Sequence, residues 1–366
     1  MRDKGRSGGA PDVGLLERII NFNFSRLQSF SVGVIFVLLI SLFVLVLLVF
    51  IFSENPLDAL FFFFAGPFRN VFSFGNMVNA AVPLIFGALG VLVAMKAGSF
   101  NLGGEGQVYL GAFVTAAAAL SLSQLGLIGS AIAAALGAFA SGVLAAFSGF
   151  CKARWNTSEL ITTFLLSCAV IPVINFFVTG PFLDPQTSLL STRKIAENMR
   201  LPLILEPSGL HTGLFIALVF VLIIYFFLKK TKLGFEFRIA GHNELFARYG
   251  GINTKLNTVI AMTISGCLYG LAGGIAVLGT HHAVIKEFSA GIGWSGLTVA
   301  LIAGFSPAAV IPCALFIAWI NAGARIAMQN TGLTYEVAVI VQAVIFFLST
   351  SLVIKNIFAN KRKGKC

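Results

Sequence analysis

Two carboxylates stand where a charge is costly. Glu105 lies in AGSFNLGGEGQ, residues 97–107, a run with four glycines between two apolar stretches. Glu159 opens NTSELITT at the head of another apolar stretch. An ionised side chain at membrane depth is expensive and usually functional. The glycines break any helix before Glu105, so free backbone N–H groups surround it, able to satisfy a polar side chain or a solute. Two readings of Glu105 stand side by side: a pathway or structural-lock residue, or an interfacial loop residue. Glu159 is either part of a pathway or a first-turn acid stabilised by the helix dipole, with Thr157 or Ser158 as cap. With no basic partner evident inside the spans, a proton- or sodium-coupled carrier working through Glu105 is the alternative mechanism.

Other chemistry is thinly represented. His281 and His282 are adjacent and point different ways on a helix, which fits a surface loop better than a metal site. His211 and His242 are isolated. Cys151, Cys168, Cys267, Cys313 and Cys366 include no close CxxC pair, so reduced, mostly buried thiols are expected, with neither a disulfide framework nor a zinc site. The sequence contains no GxxxxGK[ST] or HExxH. ATP and magnesium, if used, belong to another chain, this chain binds no cofactor of its own, and a membrane-embedded enzyme has no motif in its favour.

The elements that must position these residues are membrane spans. The 366 residues are 57% hydrophobic and only 11% charged, with a mean hydropathy of +0.93; soluble domains carry roughly 25% charge. The 37 phenylalanines fall mostly in apolar segments. A net charge of +11 would point to nucleic acid in a soluble protein, but these basic residues flank spans and no nucleic-acid signature accompanies them. The reading is an all-α polytopic membrane protein of about ten transmembrane helices, at about 30–52, 76–95, 107–122, 126–150, 159–178, 209–228, 258–279, 288–303, 308–324 and 337–355. Residues 1–29 and 356–366 are basic tails around a transmembrane domain over 30–355. The apolar run after Asn55 is too short to cross and is expected to be an outside interfacial segment, with a short helix beginning near Pro56. Residues 179–208, with four prolines, are expected to form an outside loop with partial structure, and THHAVIKEF a short outside loop. Pro83 is expected to kink its span or start its helical part.

Charge orients this scheme. Of the 25 Lys and Arg residues, 19 fall on segments placed inside and six outside, Arg325 among the latter. The bias puts both termini in the cytoplasm. AGSFNLGGEGQVYLGAF echoes SAGIGWSGLTVALIAGF, residues 289–305: two weakly similar halves, each with a glycine-broken segment. Paired interruptions point to a transport pathway between repeats, although glycine-rich apolar segments produce a similar echo by themselves.

The longest charged loop, 229–257, carries six Lys and Arg residues. Within it Asn243 can cap a short helix, Glu244 suits its positive end, and Gly250 with Gly251 can stop it. A helix of about 10 Å is unstable alone in water. It requires a surface, either its own bundle or a partner.

At these residues the chain resembles a known family. FNLGGEGQVYLGAF, SELITTFLL, GFEFRIAGHNELFARYGGIN and AGIGWSGLTVALIAG look like the permease subunits of bacterial ABC importers of the ribose/branched-chain amino acid class, closest to the nucleoside and simple-sugar branch. NPLDAL and Pro83–Leu84 fit as well, so the likeness covers nearly all of the chain after residue 30. The resemblance implies that Gly241, Asn243, Ala247, Arg248, Tyr249, Gly250 and Gly251 form a cytoplasmic coupling helix docked on an ABC ATPase subunit. It implies that Phe100, Asn101, Glu105, Gln107, Glu159, Thr163, Gly293 and Trp294 belong to the substrate path. Partners implied are that ATPase, a second permease as homo- or heterodimer, an extracytoplasmic solute-binding lipoprotein and membrane lipid. The expected setting is the bacterial inner membrane. Ser167, where the family often carries Asn, and Trp294, where it often carries Phe, depart from the pattern.

Overall fold

A computed structural model describes residues 39–350 apart from 333, 335, 338 and 349. The two basic tails, Cys366 and the start of the first span lie outside the described residues. Among those described, six helices are long and apolar enough to cross a membrane: α3 (Val71–Lys96), α5 (Gly126–Trp155), α6 (Glu159–Thr179), α7 (Gly213–Lys230), α10 (Thr254–Ala276) and α12 (Pro307–Thr331). Four more elements complete the expected order: α1 (Leu39–Phe52), α4 (Gly104–Ser121), α11 (Ile292–Ile302) and α13 (Val339–Leu348). Between them lie α2 (Pro56–Ala65), the polar-loop helices α8 (Lys232–His242) and α9 (Glu244–Tyr249), and a small antiparallel hairpin of β1 (Leu203–Leu205) and β2 (Leu210–His211).

The helix ends collect on two faces. At one, the Gly241 backbone of α8 lies against the Lys96 carbonyl and Gly98 at the end of α3, and Lys152 of α5 reaches the Gly98 carbonyl at 3.4 Å. At the other, Asn76 near the start of α3 accepts the Gly209 N–H at 2.8 Å, and Asn198 donates to Ser123 O at 2.7 Å before α5. The segment between α6 and the hairpin also bonds the end of α10 here, with Leu201 N donating to Leu278 O at 3.0 Å and Ile195 N to His282 O at 2.8 Å. The expected long outside loop is therefore ordered against the helix ends.

Helices α4, α5 and α10 touch backbone to backbone. Gly111 has no room for a Cβ against Gly270, nor Gly273 against the Val108 carbonyl, nor Gly266 against the Ser141 carbonyl. Lipid tails supply no hydrophobic drive between helices, so close approach at small residues provides the dispersion contact. Ser141 adds a 2.8 Å bond to the Gln107 carbonyl.

Two expectations change. Residues 288–303 do not form a span: α11 has 11 residues, about 16 Å of helix against about 30 Å of hydrocarbon. Glu287, Ala290 and Gly291 have φ of 60°, 38° and 87°, which no α-helix admits, and Ala283, Val284 and Phe288 are buried. THHAVIKEF itself stays at the hairpin face, as expected of an outside loop, with Thr192 N donating to Val284 O and Lys286 N to Leu190 O, each at 2.9 Å. The run after Asn55 does form a short helix from Pro56, α2, packed on α12: the Phe63 backbone fits the space at Gly323, and Trp319 Nε1 donates to Phe64 O at 3.3 Å. Helix α12 runs on through Thr331, which makes Arg325 a helical residue instead of an outside-loop one. Pro83 lies inside α3, which begins before it.

Candidate functional site

The two glycine-broken segments meet inside the bundle. Residues 97–103 come in from the face bearing α8 and α9 and lead into α4. Residues 282–291 come in from the hairpin face and lead into α11. The helix starts abut, since a Cβ on Gly293 would lie 2.5 Å from Glu105 N. Glu105 Oε1 accepts the Trp294 N–H at 3.1 Å, satisfying one of the donors that the first turn of α11 leaves unpaired. The carboxylate lies at the positive ends of two half-helices. Behind α11, Gly296 packs on Gly87 in the middle of α3.

Asn101 and Gln107 form a reciprocal amide pair, with Asn101 Nδ2 donating to Gln107 Oε1 at 2.8 Å and Gln107 Nε2 to Asn101 Oδ1 at 3.0 Å. Asn101 also donates to Ser265 Oγ at 3.0 Å on α10 and accepts the Gly103 N–H at 2.9 Å. Thr163 Oγ1 accepts the Leu102 N–H at 3.1 Å, and Ser167 Oγ the Gly106 N–H at 2.7 Å. Asn101, Gln107, Thr163 and Ser265 are each no more than 1% exposed. The irregular backbone is pinned by side chains of α6 and α10, as buried non-helical backbone in a membrane requires. Phe100 is half-buried and packs on the main core.

Glu159 lies elsewhere. Its carboxylate meets Lys152 Nζ at 2.6 Å, and Lys152 also donates to Ser99 Oγ at 3.3 Å. The basic partner that the sequence did not reveal is thus one helix turn before the end of α5. Ser158 precedes α6 without a side-chain capping bond.

Beside this junction opens a cavity of about 790 Å³. Glu105 borders a much smaller recess on the far side of Trp294, whereas Trp294 faces both and is 43% exposed. The chamber is walled by α3 (Asn76, Asn79), the end of α10 (Thr280, His281), the start of α11 (Trp294, Ser295, Thr298), α12 (Asn321, Arg325) and Gln342, with Phe288 and Phe346 adding aromatic surface. Ser295 Oγ is 3.4 Å from Gln342 Oε1, and Gln342 Nε2 donates to Asn321 Oδ1 at 2.5 Å. Of the residues expected on the path, Trp294 reaches this chamber, while Asn101, Gln107, Thr163 and Gly293 frame the junction behind it. Asn76, Asn79, Asn321 and Gln342 escaped notice in the sequence, where Thr280 and Arg325 read only as outside-loop residues. The available signal was sparse polar residues within long apolar runs. The adjacent histidines diverge as expected, His281 turning edge-on to Phe288 at 5.0 Å. Among the described residues no cluster of His, Cys, Asp and Glu could hold a metal ion.

On the face bearing α8, Asn243 Oδ1 accepts the Phe246 N–H at 3.0 Å and so caps α9. Glu244 pairs with Arg248 at 2.6 Å, and Gly251 at φ 78° ends the turn after Gly250. Ala247 is buried at 1%, whereas Leu245, Phe246 and Tyr249 are exposed at 65%, 63% and 91%. Gly241 belongs to α8, against the end of α3.

Known proteins share this sequence. The family described as branched-chain amino acid transport system / permease component matches residues 73–350. The chain is 34% identical over 297 residues to the probable riboflavin import permease protein RfuC of Treponema pallidum, covering 81% of this chain and 79% of that one. It is 29% identical over 307 residues to the guanosine ABC transporter permease protein NupP of Bacillus subtilis, covering 82% and 87%. It is also 29% identical over 335 residues to the nucleoside ABC transporter permease protein NupB of Lactococcus lactis, covering 86% and 92%. Half-helices that meet inside a helical bundle, a polar chamber beside them and a match over most of the described chain lead to one assignment: this protein belongs to the branched-chain amino acid transport permease family and is the membrane permease subunit of an ABC importer.

Proposed function

We propose that the chain imports a nucleoside or a related small polar solute across the bacterial inner membrane, with both termini in the cytoplasm. The observation that carries this is the chamber itself, walled by amides, hydroxyls and aromatic rings. Related permeases named for riboflavin, guanosine and nucleosides support the solute class. The permease works as a homo- or heterodimer in lipid, receives solute from an extracytoplasmic lipoprotein and breaks no covalent bond. ATP and magnesium act on a separate ATPase, against which Leu245, Phe246 and Tyr249 of α9 dock within the coupling loop 229–257. The Gly241 contact with Lys96 and Gly98 then passes ATPase closure to residues 97–103, and so to the junction at Glu105. The two basic tails lie outside the transport domain.

A carrier driven through Glu105 is not favoured, because that carboxylate is engaged by the Trp294 N–H. The two mechanisms separate in cells supplied with ATP and treated with a protonophore. Import of labelled nucleoside continues under this reading, and its collapse at constant ATP refutes it.

A further inference from the structure

One chamber residue has its hydrogen-bonding direction imposed by its neighbours. His211 is 1% exposed, its imidazole seated against Gly213 and Gly279, neither of which has room for a side chain. The Gly213 N–H donates to Nδ1 at 3.0 Å. A neutral imidazole has one acceptor and one donor nitrogen, so Nε2 carries the proton and donates it to Thr280 Oγ1 at 3.3 Å. Asn79 Nδ2 donates to the same oxygen at 3.0 Å. A hydroxyl accepts two hydrogen bonds and donates one. In this amide orientation, which leaves Asn79 Oδ1 without a hydrogen-bond partner, both acceptor positions are taken and the Thr280 hydroxyl proton is left for a solute. Its side chain is exposed to the chamber, in the five-residue π-turn Val277–His281 that ends α10, a distortion frequent at functional sites.

The rest of the wall narrows the solute. Trp294 presents an indole to the same space, and Phe288 and Phe346 line it too. Among its described lining residues Arg325 is the one cationic side chain, and none is Asp or Glu. An ammonium would find neither a carboxylate nor, at Thr280, an acceptor. A planar ring would find an aromatic face, and a rim carbonyl or ring nitrogen would find a donor.

Resting on the import reading above, we propose that Thr280 is a solute-recognition residue. It donates its hydroxyl proton to a carbonyl oxygen or ring nitrogen of an uncharged or anionic heteroaromatic solute that stacks on Trp294. Asn79 and His211 are positioning residues that hold Thr280 in this role.

The test uses proteoliposomes carrying the full chain with its ATPase and binding protein, and four labelled probes: inosine, riboflavin, ribose and valine. The expected result is ATP-driven uptake of inosine or riboflavin in preference to ribose and valine. Thr280→Val raises the KM for the ring probe about fivefold or more, the typical worth of one hydrogen bond, with maximal rate kept. Thr280→Ser, which keeps the donor, retains the wild-type KM. Trp294→Leu raises KM, and Trp294→Phe restores it. An unchanged KM in Thr280→Val, or equal loss in the Val and Ser variants, overturns the role of Thr280. ATP-driven uptake of ribose or valine ahead of both ring probes overturns the solute class and leaves the importer standing. No ATP-driven uptake of any probe overturns both.

Discussion

Glu105 illustrates how a half-buried charge at a helix junction is kept without a cation. Its carboxylate accepts a backbone N–H at the start of α11 while sitting in the first turn of α4, so the positive ends of two helices face it. Glu105→Ala removes this cap and should lower stability by about 1 kcal/mol, read as an earlier thermal transition of the detergent-solubilised protein. Glu105→Gln keeps a carbonyl acceptor and should preserve most uptake, whereas a proton-coupled residue would not survive that change. His211 gives a pH signature. Burial, reinforced by nearby His282, lowers its pKa from 6.5 to about 4. The unfolded chain therefore binds a proton here that the folded chain refuses, so His211 contributes stability that is full above about pH 6.5 and lost as pH falls towards 4. Melting temperatures between pH 7 and 4.5 should fall more steeply for the wild type than for His211→Gln. Asn101, Gln107 and Glu105 were legible because glycine and polar residues crowd one short stretch. Asn79, Thr280, Asn321 and Gln342 were not, since they are scattered over four separate segments and folding alone makes them neighbours.

Helix α9 was readable from its cap, first-turn acid and glycine stop, but its orientation was not. Ala247 faces its own bundle and the larger apolar side chains face out. Phe246→Glu or Tyr249→Glu should therefore leave a folded permease whose ATPase hydrolyses ATP without import, measured as nucleotide turnover per solute moved. Ala247→Asp should instead destabilise the protein by about 2 kcal/mol or more, because it buries a charge, and lower its yield in the membrane. Helix α8 was not foreseen at all. Its charges read as loop, yet Gly234, Phe237 and Ala240, three apart, are its buried residues, a helical face too short and too diluted by Lys and Arg to register as periodicity. The half-helix α11 was mistaken for a span because residues 288–291 just before it and 303–305 just after it carry no charge. What separates the approach from α11 is a backbone turn through positive φ at Ala290, a conformation that alanine does not advertise.

The order of the crossings was the most legible property of the protein, since length and hydropathy dictate it once a backbone must satisfy its own hydrogen bonds in lipid. Orientation rests on the partition of Lys and Arg, 19 on the segments placed inside against five outside once Arg325 joins α12. A cysteine placed at the exposed Leu245 should react with a membrane-impermeant maleimide in inside-out vesicles and resist it in intact cells. The reverse pattern would invert the whole topology.

The glycine seam joining α4, α5 and α10 has a kinetic corollary. Helices nested backbone to backbone cannot slide past one another without first separating, so these three travel as a single plank. Pliancy is left to the two unwound strips at 97–103 and 282–291, which lead to the junction at Glu105 from opposite faces. Access would then alternate by tilting that plank on two short straps, one reachable from the cytosolic motor and the other from the solute's side of entry.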